Sequence, residues 1–247
     1  MKTEKDAIKM QDYEVLCDYL TKNFEALQHS SSSGTDLEFP DFDLMPFDYL
    51  EFAEQELTHG TTAARINCVS NLKRATECEM DTFIHILGLS NILKSFPRKL
   101  DFFSKTGLLS SRSLEKLNRI RNKMEHEYAD PNLAEIDAYF DLASGFIHSL
   151  EGYIFMLGSH KEQEWERKDI PDKVALRIKL NQTPPQITFQ IAGGRTITFD
   201  AKHFDTYLQG LEIYFLICRA TALLSADYVI YKLNRNKSPN TGGRYSR

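Results

Sequence analysis

Apolar side chains recur at three- and four-residue intervals between residues 6 and 28, at Ile8, Tyr13, Leu16, Leu20, Phe24 and Leu27, which predicts an amphipathic helix. The run ends in His29-Ser30-Ser31-Ser32-Ser33-Gly34, a composition that predicts a flexible linker. From Asp36 to Asp48 acidic residues alternate with Phe39, Phe42 and Phe47 around Pro40 and Pro46. That pattern suits either an ordered loop against the body or a partner-binding segment. Helical spacing returns over Phe47 to Leu57. After the His59-Gly60 break a long helix is expected, with Thr61 or Thr62 as N-cap and Ile66, Val69, Leu72, Met80, Phe83, Ile84 and Leu87 inward. Pro97 begins a shorter element. Ser110-Ser111-Arg112-Ser113 opens a further helix that turns Leu114, Leu117, Ile120 and Met124 inward. It must end near Ala129, because Asp130-Pro131 sets a capping carboxylate before a first-turn proline. Leu133, Ile136, Tyr139, Phe140, Phe146, Ile147, Leu150 and Ile154 mark the buried side of the helix that follows.

Beyond the charged stretch Lys161 to Lys168 the period changes to two. Val174, Leu176, Ile178 and Leu180 form one alternating run, Ile187, Phe189 and Ile191 a second, Ile197 and Phe199 a third, and Gly193-Gly194 is a hairpin signal between the last two. A three-stranded ribbon needs a cover for its apolar face, and the apolar helix expected from Ala201 to Leu233 can supply it. Glu212, Arg219 and Asp227 interrupt that helix, so it reads as a buried helix of a soluble protein with no membrane span. The expected fold is mainly α: an antiparallel helical bundle with a small C-terminal three-stranded antiparallel β-sheet covered by a long helix. Four regions follow: residues 1–45, an N-terminal helix and flexible acidic and aromatic linker; 46–160, the bundle; 161–235, the sheet and long helix; and 236–247, a disordered basic tail.

Composition adds limits. A chain of 247 residues can bury a sizeable core without staples. Cys17, Cys68, Cys78 and Cys218 show neither disulfide-framework nor zinc-ligand spacing, which suggests reduced thiols in a cytoplasm. The charged opening MKTEKDAIKMQDYE lacks the apolar core of a secretory signal, so export is not expected. The net charge is −5, but residues 94–123 hold nine Lys and Arg against Asp101 and Glu115, leaving −12 elsewhere. A positive region on an acidic body admits RNA as a local partner, although such runs are commonly solvated helix surface. His85 and His148 lie within apolar helical runs and read as core residues; His29, His59, His160 and His203 sit at element ends. No metal-ligand spacing and no glycine-rich phosphate loop point to a cofactor.

The informative stretch is Leu117-Asn118-Arg119-Ile120-Arg121-Asn122-Lys123-Met124-Glu125-His126-Glu127-Tyr128. Arg121-Asn122-x-x-x-His126 resembles the HEPN family signature, an arginine, a polar residue and a histidine a few positions on. With Tyr128 added, it looks like the Arg-x4-His-x-Tyr variant of HEPN toxins paired with MNT nucleotidyltransferase antitoxins. The resemblance covers roughly residues 47 to 160 and implies a HEPN-like bundle. On a helix advancing about 100° per residue, Asn122 and His126 stack on one face while Arg121 and His126 stand about 140° apart. The resemblance implies a solution: a homodimer in which two copies of the motif line one groove. Metal-free RNA cleavage needs a proton acceptor for the 2′-hydroxyl, a donor to the leaving oxygen, and positive charge on the phosphorane. We therefore assign His126 as general base or acid, Arg121 as transition-state clamp and Asn122 as the group orienting the histidine. Arg112, Lys116, Arg119 and Lys123 are the candidate RNA-binding cations. Tyr128 has three open roles: stacking on a base, accepting AMP as in the toxin variant, or packing in the core. The expected function is thus a metal-independent endoribonuclease of toxin-antitoxin or antiphage defence, without cofactor. The competing expectation is a non-catalytic HEPN scaffold for a nucleotidyltransferase. A solvated helix end stitched by Arg121-Glu125 and Lys123-Glu127 pairs would show the same spacing.

Overall fold

The computed structural model describes residues 4–34, 36–110 and 132–237, together with Arg112, Glu115, Lys116, Arg119 and Asn122. The chain divides into two compact units, Met1–Thr35 with Ser159–Arg247, and Asp36–Gly158.

In the first unit, helix α1 (Glu4–Asn23) buries Tyr13, Leu16, Cys17 and Leu20 at the predicted spacing. A 3-10 turn (Phe24–Ala26) leads into strand β1 (Leu27–Ser33). The chain returns to this unit with β2 (Glu162–Arg167), β3 (Ile170–Asn181), β4 (Gln186–Ile191) and β5 (Thr196–Asp200). These make one antiparallel sheet of five strands in the order β1-β2-β3-β4-β5. The expected three-stranded sheet is therefore corrected to five, within a protein that remains mainly helical.

Both added strands escaped the sequence for physical reasons. In β2 the outward positions Glu162, Glu164 and Glu166 are all charged, and inward positions carry only Gln163 and Trp165, so polar Gln163 hides the period of two. Cross-strand pairs stabilise the charged face: Glu164 with Arg177 at 2.5 Å, and Glu162 with Lys179. The serine run, expected as a linker, is β1. Serine has little strand propensity, and the strand exists because β2 offers its open edge, pairing Leu27 with Arg167 and His29 with Trp165. Polar serines on an edge strand also discourage further pairing with other chains.

Leu176, Ile178, Leu180, Ile187, Phe189, Ile197 and Phe199 form the covered face of the sheet. Two helices follow where one was expected: α6 (Phe204–Ala220) and α7 (Ala226–Lys237). Here α5 denotes the helix Leu133–His160 of the other unit. The break comes where the Thr221 hydroxyl donates to Cys218 O at 2.8 Å, and Ser225 Oγ accepts the Tyr228 N–H at 3.3 Å to open α7. Helix α6 packs on β4 and β5, and α1 packs on α6 and α7. Gly210 allows the approach, since a Cβ there would stand 2.7 Å from the Phe199 ring.

The second unit contains α2 (Pro46–Leu57), α3 (Thr62–Ile86), α4 (Phe96–Lys105) and α5 as far as Gly158. Thr61 is the cap of α3, its Oγ1 accepting the Ala64 N–H at 3.1 Å. At its far end Gly88 (φ 73°) and Leu89 donate to His85 O and Ile84 O, at 2.8 and 2.9 Å, and this turns the chain out. Phe83, Phe102, Phe103 and Phe146 join α3, α4 and α5 in one aromatic cluster, with Phe103 centred 5.5 Å from Phe83 and 6.0 Å from Phe146. Two expected inward residues are exposed. Ile66 lies opposite the stripe Ala64, Cys68, Leu72, and Leu133 opens α5. Asn132 caps α5, its Oδ1 accepting the Glu135 N–H at 2.9 Å, while the expected Asp130-Pro131 start lies outside the described residues. No helix among the described residues is long and apolar enough to cross a membrane.

Candidate functional site

Of the motif and the cations leading into it, Arg112, Lys116, Arg119 and Asn122 are described, and each is helical and exposed. Steps of four and three residues hold the three cations within about 60° of one another around a helix axis. Asn122 lies about 60° further round. Arg121, Lys123, His126 and Tyr128 lie outside the described residues, as do Leu114, Leu117, Ile120 and Met124, which were expected to face inward.

The rest of the positive stretch is partly neutralised. Lys99, buried on α4, forms an ion pair with Asp81 of α3. Lys105 pairs with Asp101 one helical turn back, at 2.8 Å. Arg98 donates to Ile92 O at 3.4 Å. Lys99 and Lys105 are thus paired with carboxylates, whereas Arg112, Lys116 and Arg119 stand exposed and Arg98, bonded among the described residues only to a carbonyl, keeps its charge.

Two further features of the same unit come from the structure, the second of them lined in part by the segment Asp36 to Asp48 that the sequence offered as an ordered loop or a partner-binding segment. Glu79 is 1% exposed, and neither carboxylate oxygen has a hydrogen-bond partner among the described residues. Burial, helped by the Glu151 carboxylate, pushes its pKa up to about 8, so the group is held neutral at pH 7. Its place was legible: Glu79 stands seven residues after Leu72 and four before Phe83, inside the apolar stripe of α3. The second feature is a groove of about 480 Å³ lined by Asp41, Phe42, Asp43 and Leu44, Tyr49 of α2, and Arg74, Glu77 and Cys78 of α3. Burial pushes the Cys78 thiol up to about 11, which removes it as a nucleophile at neutral pH.

The histidines divide differently from expectation. His148 is exposed, its ring 5.4 Å from that of Phe47, and is not a core residue; His85 is half-buried. In the sheet unit His29 and His160 come together, ring centres 6.3 Å apart, with Trp165 5.3 Å from His29. Burial and the neighbouring His160 hold His29 below the ordinary histidine range. Buried Gln163 ties this corner together: it donates to Cys218 Sγ at 3.0 Å and to His160 O at 3.4 Å, and accepts from Trp165 Nε1 at 3.4 Å. Tyr214 OH donates to His160 O at 3.0 Å. The cluster is hydrogen-bonded to itself, as buried polar groups must be. Among the described residues no three His, Cys, Asp or Glu side chains converge as metal ligands. Compared with protein-family models, with curated proteins and with solved structures, the chain matches none.

Proposed function

We propose that the chain is a metal-independent endoribonuclease of the HEPN type, acting in the cytoplasm as a toxin or antiphage effector, with two copies completing one active site. The observation that carries the reading is the motif Arg121-Asn122-x-x-x-His126, approached by Arg112, Lys116 and Arg119 along one exposed helical face. His126 takes the 2′-hydroxyl proton or returns one to the leaving oxygen, Arg121 clamps the charged phosphorane, and Asn122 orients the imidazole. The cations hold the RNA backbone, a contact without sequence preference.

The test is cleavage of labelled RNA, with chelator present, by the wild-type chain, by His126→Ala and by Arg121→Ala. Wild type cuts, and each variant loses about a hundredfold or more in rate. Equal products from all three would end the enzyme reading and leave the scaffold for a nucleotidyltransferase partner.

A further inference from the structure

Between Lys22 and Arg65 the chain has no lysine or arginine, while Asp36, Glu38, Asp41, Asp43, Asp48, Glu51, Glu54 and Glu56 crowd into residues 36–56. The same stretch exposes large apolar side chains: Phe39 is 51% exposed, Phe42 41% and Phe47 42%, with Leu44, Met45 and Phe52 beside them in sequence. A folded surface usually scatters such residues singly; grouped and rimmed with charge, they mark an interaction site. The groove described above is lined here by Phe42, Leu44 and Tyr49 as its apolar part and by Asp41, Asp43, Glu77 and Arg74 as its charged part. Neither Asp41 nor Asp43 has a hydrogen bond or ion pair from its side chain among the described residues.

The lining is held in place before anything binds. The Asp48 carboxylate accepts the Met45 N–H at 2.6 Å, Cys78 Sγ donates to Leu44 O at 3.6 Å, and Leu37 lies over Gly158. An occupant therefore meets a shaped surface and does not bear the cost of ordering it. Charge selects the occupant. The groove is lined by three acids, Asp41, Asp43 and Glu77, against one cation, Arg74, and this acidic excess steers a cationic chain towards it and disfavours nucleic acid and anionic lipid. The apolar part needs an aliphatic or aromatic anchor from the same chain.

We propose that this groove is a docking site for a basic segment of a partner protein, one that places an apolar anchor against Phe42 and Leu44 and its lysines or arginines against Asp41 and Asp43. The inference is independent of the ribonuclease reading. It is tested with a fluorescein-labelled lysine- and leucine-rich dodecapeptide, its glutamate- and leucine-rich counterpart, and the full chain, by fluorescence anisotropy. The basic peptide binds, the acidic one does not, and affinity falls as salt shortens the reach of the charges. Asp41→Asn with Asp43→Asn weakens binding at least about fivefold, and so does Phe42→Ser. Removing two exposed acids from the other unit, Glu14→Gln with Asp205→Asn, leaves it within about twofold. Equal binding of both peptides, or equal loss from the two pairs of substitutions, overturns the proposal. So does sedimentation showing a dimer that Asp41→Asn with Asp43→Asn dissolves, since the occupant is then a second copy.

Discussion

The sheet unit and the helical unit both expose some large apolar side chains, but only the helical unit sets them in an acidic run without lysine or arginine. The sheet unit closes its apolar face under α6 and ties its buried polar corner together through Gln163, Trp165, Cys218 and Tyr214. The helical unit has a firm aromatic core but leaves Phe39, Phe42, Phe47 and Phe52 exposed, a carboxylic acid buried without a partner among the described residues, and cations along one helical face. Exposed anchors and unsatisfied polar groups weaken a fold and are kept where something else uses them. The difference lies in the acidic, aromatic run of residues 36–56 and the exposed cations of the helical unit, since buried side-chain atoms without a partner among the described residues occur in both units, Tyr207 and Arg219 of the sheet unit among them.

Substitutions can break that division, and the largest effect is expected at its base. Phe103→Ala costs about 3–5 kcal/mol, read as a lower urea midpoint; a loss under about 1 kcal/mol would mean that the aromatic cluster does not hold the helical unit. His126→Ala removes about a hundredfold or more of RNA cleavage, while Arg177→Gln on the sheet leaves the rate unchanged. A cleavage defect in the sheet variant alone would move the chemistry to the other unit. Gly210→Ala, with its Cβ 2.7 Å from the Phe199 ring, forces α6 away from the sheet. It costs about 1–3 kcal/mol by denaturant titration.

The next effect depends on pH. The folded chain holds the Glu79 proton up to about pH 8, well above the range in which an unfolded glutamate releases it. Stability is therefore full at low pH, falls by on the order of 1 kcal/mol per pH unit between those limits, and levels off above the folded pKa. Glu79→Gln flattens this stretch of the profile. A variant that keeps the wild-type slope would show that Glu79 is ionised in the fold. The smallest effect is expected from Lys116→Ala with Arg119→Ala, which lowers RNA affinity a few-fold across all sequences and reduces the salt slope by about 1 to 2. An unchanged slope would remove that helical face from the RNA contact.

Much of the fold was legible because burial writes a period into the chain. Most of the stripes of α1, α3 and α5 and of the alternation of β3, β4 and β5 appear where they were expected, with Leu27 passing instead into β1 and Ile66, Leu133 and Val174 exposed. The candidate site is a sequence motif, Arg121, Asn122 and His126 being close along the chain, and of these only Asn122 is among the described residues. Less legible was which cations remain free. Lys99 is neutralised by Asp81, eighteen residues away, and no local pattern announces such a partner.

By itself, then, the sequence determined the elements whose inner and outer faces differ in polarity, together with the residues that could carry the chemistry. Tertiary structure decided the rest. It made a strand of the serine run because β2 had an open edge, and admitted Glu162–Arg167 to the sheet through ion pairs to β3. It also ended α6 before α7 by hydroxyl capping and left Glu79 neutral inside an apolar stripe. Each of these outcomes depends on a partner remote in sequence or on the local exclusion of water, and neither is written in the period of a segment.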